Sequence, residues 1–212
     1  KMTSYEKGLT FYHKKEFLYE DMKYSELYDK ERNFYGAGKV HKLFDFASNF
    51  LSFEGKFVVD CGCGRSALIG KVEEDLYTGV DVSSYMINRL KNQYPKAKYY
   101  NCLLQKIPLQ SKSFDISFCC DVLEHLDREE IDMALQEVTR LSFVSVFNIC
   151  LRKSVRDDTR RGRYKLHRTV RDAIWWRSKI LKYGNLVAEY ILDDFYFLII
   201  DTKIDNNSNN EE

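Results

Sequence analysis

Phe57-Val58-Val59-Asp60-Cys61-Gly62-Cys63-Gly64 is the stretch that decides the fold. An apolar run ends in an acid, and two glycines follow with one residue between them. Val58 and Val59 suit a strand covered on both faces, while Gly62 and Gly64 permit positive φ and let the backbone approach a ligand. The stretch reads as a buried strand running into a ligand loop. Arg65 to Val72 is expected to follow as a helix whose first amides face that ligand.

Two ligand classes share this outline. Gly62-x-Gly64-x-x-Ala67 satisfies a dinucleotide fingerprint, and Asp81, 19 residues after Gly62, lies where a ribose-binding acid belongs. Asp60 discriminates between them. The pattern Asp60-x-Gly62-x-Gly64 resembles motif I of the class I S-adenosylmethionine-dependent methyltransferases, whereas nicotinamide-binding folds usually keep this position uncharged. S-adenosylmethionine carries an ammonium and a sulfonium, so a strand-end carboxylate near its methionine moiety is favourable. Beside a pyrophosphate the same carboxylate would repel. A dinucleotide oxidoreductase therefore fails on Asp60. An ordinary strand-to-helix turn with a solvated Asp is the bland alternative, and the motifs that follow in order weigh against it.

The chain has 212 residues, enough for one full α/β domain and too few for two. Its 33 Lys and Arg nearly balance 32 Asp and Glu, so net charge exerts no global pull toward nucleic acid or a membrane. Fifteen Tyr and 14 Phe favour a folded domain. No secretory signal and no apolar run long enough to span a bilayer is visible, which makes a reducing cytoplasm the expected compartment. Lys1 reads as an addition ahead of a natural start at Met2. Cys61, Cys63, Cys119 and Cys120 fit no common zinc spacing, and cysteine often serves as a small buried hydrophobe, so neither metal nor disulfide is expected.

Tyr5 to about Tyr35 is helical in period and is expected to lie outside the sheet as one or two helices. In the resembling methyltransferases such an extension closes over the cofactor, which makes Tyr24, Tyr28, Arg32 and Tyr35 candidates there. Val40 to Phe50 gives a further helix with an apolar face. Leu76 to Ser83 reads as the second strand. The resemblance gives Asp81 both ribose hydroxyls, although it could instead cap the next helix. Val82, Ser83 and Met86 follow it, Met86 as a packing partner for the adenine. Lys98 to Tyr100 is a short third strand. The Asp that relatives place against the adenine amino group falls on Leu103, beside Leu104, so that contact is lost or passes to Asn101, Gln105 or backbone groups.

Phe114 to Asp121 is the fourth strand, and Asp121-Val122-Leu123-Glu124-His125-Leu126 resembles the family's D-x-L-E-H-L signature. The resemblance places Cys120 and Asp121 where the methionine part of the cofactor meets the acceptor. Glu124 and His125 could be an acid and base, but in such relatives the pair more often fixes the loop and the next helix. A helix over Glu129 to Leu141 and a fifth strand over Phe143 to Ile149 follow. Arg152 to Lys182 then holds twelve bases and three acids, a local charge of +9. His167 is expected above the cofactor pocket. Thr169-Val170-Arg171-Asp172 looks like a capping-box start for a helix that stops at Gly184. Val187 to Leu192 and Phe195 to Ile200 are expected to close the sheet as an antiparallel pair.

These readings imply an α/β fold, a doubly wound and mostly parallel seven-stranded sheet with a C-terminal antiparallel hairpin and an N-terminal helical lid. Residues 1–205 form a single methyltransferase domain, with 1–38 the lid and 39–205 the core, and 206–212 a disordered tail. The resemblance implies methyl transfer from S-adenosylmethionine. Asp60, Cys61, Gly62, Cys63, Gly64, Asp81, Val82, Ser83, Met86, Leu103, Leu104, Cys120 and Asp121 are the expected cofactor residues. Asp121 and His167 are the catalytic candidates, and Arg32, Tyr35, Arg160, Arg163, His167 and Arg168 the acceptor candidates. An Arg-rich loop beside the pocket suggests an O or N acceptor on a polar, anionic small molecule or polymer, such as a nucleotide, nucleic acid or phosphorylated glycan. A non-catalytic cofactor-binding subunit is the alternative. Leu103 argues mildly for it, the complete motif I and Asp81 against it.

Overall fold

The computed structural model describes residues 4–30, 38–153 and 165–202, without the side chains of residues 4–13 and 30. The expectations for Arg32, Tyr35, Arg160, Arg163 and the tail lie outside these residues. Among the described residues no helix is long and apolar enough to cross a membrane.

Helix α1 (Ser4–Lys30) and helix α2 (Gly38–Ala47) precede the sheet. The strands are β1 (Val58–Cys61), β2 (Tyr77–Asp81), β3 (Lys98–Asn101), β4 (Phe114–Cys120), β5 (Ser142–Cys150), β6 (Asn185–Leu192) and β7 (Phe195–Asp201). Their order is β3-β2-β1-β4-β5-β7-β6, and β1 to β5 run parallel. Strand β7 is antiparallel to both β5 and β6. The order reverses between β1 and β4, so the sheet opens a crevice at the carboxyl ends of those strands.

Apolar spacing explains which face each helix covers. In α4 (Ile131–Leu141), Ile131, Ala134, Leu135, Val138 and Leu141 recur every three or four residues and are buried against β4 and β5. Helix α5 (Ala173–Ile180) adds Trp176 and Ile180, both fully buried, to the same cluster. On the other face, α2 contributes Leu43 and Ala47, and α3 (Ser84–Gln93) contributes Met86, Ile87 and Leu90. Val58 and Val59 are fully buried, one on each face, as a central strand requires.

The helix expected at Arg65 to Val72 does not form. Residues 64–71 are successive turns, with one isolated bridge between Ile69 and Val72. Gly64, Ser66 and Gly70 all adopt positive φ (48°, 54° and 93°), and left-handed residues this close together stop a right-handed helix from propagating. Leu68 and Val72 still join α2 in covering that face. The helix start predicted at Thr169 moves as well. Asp172 caps α5 by accepting from the Trp175 N–H at 2.8 Å, while the Thr169 hydroxyl donates to the Leu126 carbonyl.

Candidate active site

A cleft opens where β1, β2 and β4 end, walled by Gly62, Cys63 and Gly64, by Asp81 and Val82, by Cys102 and Leu104, and by Cys120 and Asp121. Glu20, Tyr24 and Tyr28 of α1 and Lys39 of α2 close it from outside. Cys61, Ser83 and Met86 are fully or almost fully buried, so they stand behind the wall rather than on it. Leu103 is absent from the lining, and its neighbours Cys102 and Leu104 take the position instead.

The glycine turn is shaped by what lies against it. Gly62 has φ +83°, and a Cβ there would stand 2.4 Å from the Val122 side chain. At Gly64, φ +48°, a Cβ would meet the Tyr28 hydroxyl at 2.7 Å, so the turn and α1 come close together here. The Gly62 and Cys63 amides are spent on the Val80 carbonyl at 2.7 and 2.9 Å, which folds the turn back over β2.

Asp81 sits at the centre of this turn. Its carboxylate accepts from the Gly64 N–H at 2.8 Å and the Ser83 N–H at 2.9 Å, joining the two ligand loops. Helix α3 is capped by Ser83, whose hydroxyl accepts from the Met86 amide at 3.2 Å. Capping therefore does not account for Asp81. An ionised carboxylate offers about four lone-pair sites. Two are used here, leaving acceptor capacity on a residue that lines the cleft. Burial raises the Asp81 pKa, and the two amides oppose the rise.

Asp60 lies elsewhere than motif I led us to expect. It is 3% exposed, lies behind the cleft wall, and meets the Tyr77 hydroxyl 2.9 Å from Oδ2. The same hydroxyl is 3.1 Å from Ser66 Oγ, so Asp60, Tyr77 and Ser66 together brace the left-handed turn. Burial pushes Asp60 up to about 7, against the Tyr77 hydrogen bond and with the Asp81 charge adding to the rise. A carboxyl whose folded pKa is raised supports folding fully below its unfolded value. That support is lost as pH climbs through the folded one. Stability of the ligand-free chain is therefore expected to fall as pH rises from about 4 to about 7, with Asp60 supplying a slope of up to about 1.4 kcal/mol per pH unit. Urea melts of Asp60→Asn should show a flatter profile than the parent. An identical slope would mean Asp60 is ionised throughout that window.

The side chains considered as substitutes for Leu103 stand outside the cleft wall. The Asn101 amide donates to the Asp81 and Val82 carbonyls at 3.1 and 2.7 Å, and Gln105 donates to Glu130 at 2.9 Å. Neither lines the cleft. Backbone groups of the 102–104 segment are what remains.

Helix α1 lies across the mouth and is held at both sides of it. Asp21 accepts from the Ser84 N–H at 2.7 Å and Ser25 meets Ser83 at 3.0 Å, which fastens α1 to the start of α3. Tyr24 reaches His125 Nδ1 at 3.1 Å on the opposite side.

At the end of β4, Asp121 is the residue under most constraint. Its φ is +60°, uncommon outside glycine, and its amide is pinned to the Asn148 carbonyl at 2.9 Å. Lys39 Nζ lies 2.7 and 2.6 Å from its two oxygens. Burial pushes the Asp121 pKa upward, but the Lys39 ammonium against it, helped by a hydrogen bond with Glu124, outweighs that and holds the carboxyl below its ordinary value. Lys39 escaped the sequence reading because it approaches from α2, 82 residues away.

His125 is buried, and that burial lowers its pKa to about 3, so the ring is neutral. His167 is buried beside it with ring centroids 4.9 Å apart and is not among the residues that line the cleft. Glu124 is fully buried and accepts from the Cys150 N–H at 2.9 Å, while its own carbonyl accepts from Thr169. The loop after β4 is thus tied to β5 and to the entry of α5. Arg168 is drawn into that structural network: it donates to the His125 carbonyl at 2.7 Å and pairs with Glu20, Asp127 and Glu130. Three carboxylates leave its guanidinium little capacity for an anionic acceptor. All six cysteines are free, and burial pushes the thiols of Cys61, Cys63, Cys119 and Cys120 well up, as suits small apolar fillers.

The sheet order, the antiparallel β7 and the acid-bearing strand ends define a Rossmann-like methyltransferase fold. Residues 59–142 match the family model described as a methyltransferase domain, and no curated protein matches. The structure is similar to a Pyrococcus horikoshii protein, at TM-score 0.67 and 16% identity over 84% of this chain and 99% of that one. It is also similar to a TehB-like methyltransferase from Corynebacterium glutamicum, at TM-score 0.63 and 17% identity over 85% and 98% of the two chains. A third similar structure is the magnesium protoporphyrin IX methyltransferase of Synechocystis with bound S-adenosylhomocysteine, at TM-score 0.57 and 17% identity over 77% and 80%. Residues 59–142 thus match a methyltransferase domain, set in a fold that these neighbours share. The cleft suits S-adenosylmethionine at Asp81, which lines it and keeps acceptor capacity for a ribose.

Proposed function

We propose that the protein methylates an oxygen or nitrogen of a polar, anionic acceptor, with Asp81 and the turn around Gly62 and Gly64 holding the cofactor. The observation that carries the acceptor side is Asp121, an ionised carboxylate fixed in left-handed backbone on the cleft wall with Lys39 against it. The bound cofactor supplies an activated methyl group, so the protein's own task is alignment and management of the acceptor proton. Asp121 orients the acceptor hydroxyl or amine and accepts its proton, and His167, buried next to it, positions the loop. Lys39 supplies a cation to an anionic substrate at the same spot. One domain, with α1 as its lid, does this work.

The charge of +9 over residues 152–182, part of it offset where Arg152, Arg168, Arg177 and Lys179 pair with acids outside that span, supports an anionic acceptor, a nucleotide, nucleic acid or sugar phosphate. Screening these three acceptor classes with labelled S-adenosylmethionine tests the proposal directly, and no incorporation into any of them would refute it. Arg156, Arg160, Arg161 and Arg163 changed together to Ser should leave cofactor binding intact and raise the acceptor KM. The rise should shrink with added salt, since exposed charges are screened over about 8 Å at physiological ionic strength. Equal acceptor kinetics at low and high salt would remove the case for recruitment by charge.

A further inference from the structure

Beneath the acceptor end of the cleft, three segments bring one donor atom each from Asp121, Glu124, Cys150 and His167 within 4.8 Å of one another. Asp121 and Glu124 come from the loop after β4, Cys150 ends β5, and His167 precedes α5. Glu124 has zero exposure; its Oε1 accepts from the Cys150 N–H, and among the described residues its Oε2 meets no N–H or O–H donor, while the Asp121 carboxylate lies against the group. A buried carboxylate oxygen left unpaired is costly, so a native structure that keeps one calls for a ligand to answer it. His167 is set up for the same purpose. Its Nδ1 lies 2.7 Å from the Arg152 carbonyl, which can only accept, so Nδ1 bears the proton and Nε2 keeps its lone pair. Protein imidazoles that ligate metals are held in this way by an outer carbonyl or carboxylate.

We propose that Asp121, Glu124, Cys150 and His167 form a binding site for a divalent cation of the zinc type. One thiolate, one imidazole and two carboxylates match zinc's tetrahedral preference, whereas magnesium and calcium select oxygen ligands alone. The charges close: three anionic ligands give −3, the ion +2 and the Lys39 ammonium +1. Donors around an ion with bonds of about 2.0–2.3 Å stand roughly 3.3–3.8 Å apart, so the cluster contracts by about 1 Å on binding. Asp121 alone of the four lines the cleft, so the ion faces the acceptor on that side only. Periodicity and C-x-C spacing could not reveal the site, because its ligands are contributed by distant segments.

The proposal concerns binding and does not depend on the identity of the acceptor. The full-length protein, stripped with a chelator, is titrated with cobalt and zinc, with S-adenosylhomocysteine affinity measured in parallel as the check on folding. The expected result is one ion per chain, a thiolate-to-cobalt charge-transfer band, and no competition from magnesium. Cys150→Ala should abolish the band. In both Cys150→Ala and His167→Gln, zinc affinity should fall by more than the roughly 10- to 100-fold that an outer-shell change costs, while S-adenosylhomocysteine still binds. If Cys150→Ala fails to bind S-adenosylhomocysteine, His167→Gln and the parent spectrum decide. No stoichiometric binding, a band that survives in Cys150→Ala, or unchanged zinc affinity in His167→Gln would overturn the proposal. None of these outcomes bears on whether the protein transfers methyl groups.

Discussion

Asp81→Ala is expected to weaken S-adenosylhomocysteine binding by at least about tenfold, since hydrogen bonds to a charged acceptor contribute about 1.5–3 kcal/mol each before water replaces part of the loss. Two effects combine. The ribose loses its acceptor, and the Gly64 and Ser83 amides, now paired with Asp81 at 2.8 and 2.9 Å, lose theirs, so the turn that meets the ligand loosens too. Asp81→Asn separates them, because an amide oxygen retains one of the loop contacts while the charge is gone. Isothermal titration is the measurement. Affinity preserved in Asp81→Ala alongside a lower melting temperature would make Asp81 a brace between loops and not a cofactor residue.

Asp121→Asn should reduce turnover of the acceptor by about 10²- to 10⁴-fold, the usual contribution of a positioned acid or base. Asparagine is the informative replacement. Like aspartate it tolerates left-handed backbone, so φ +60° is kept and only the charge is removed. Alanine would add strain at the same position and confuse the reading. Because Asp121 is held below its ordinary pKa, it is already ionised at neutral pH, and its protonation should not limit the rate there. Steady-state kinetics with the acceptor found by screening, at saturating S-adenosylmethionine, give the answer. Unchanged kcat would move the proton-accepting role away from Asp121.

Much of the architecture could be read directly from the chain. The strand leading into Asp60, the strand ending at Asp81 and the run from Phe114 to Cys120 each combine a local apolar pattern with a local terminator, and such patterns survive folding. Where the reading failed, the cause was tertiary. Nothing in Arg65 to Val72 forbids a helix locally; Ser66 is held left-handed by a turn that Tyr77 and Asp60 brace from neighbouring strands. Arg168 looked available for an anion because Glu20, Asp127 and Glu130 are distant in sequence from it. Lys39 was invisible for the same reason. The placement of Asp60 behind the wall follows from a phenol on β2, which no spacing rule anticipates.

The fastening of α1 has a consequence for the reaction cycle. A ligand in the cleft would be covered by a helix secured by Asp21 to Ser84 and by Tyr24 to His125, so its exchange is expected to break those contacts. Both anchors touch the loops that grip the ligand, one at each end of the cleft. Exchange of a nucleoside ligand is therefore expected to involve lifting of the helix, so that opening and closing enter the turnover alongside methyl transfer.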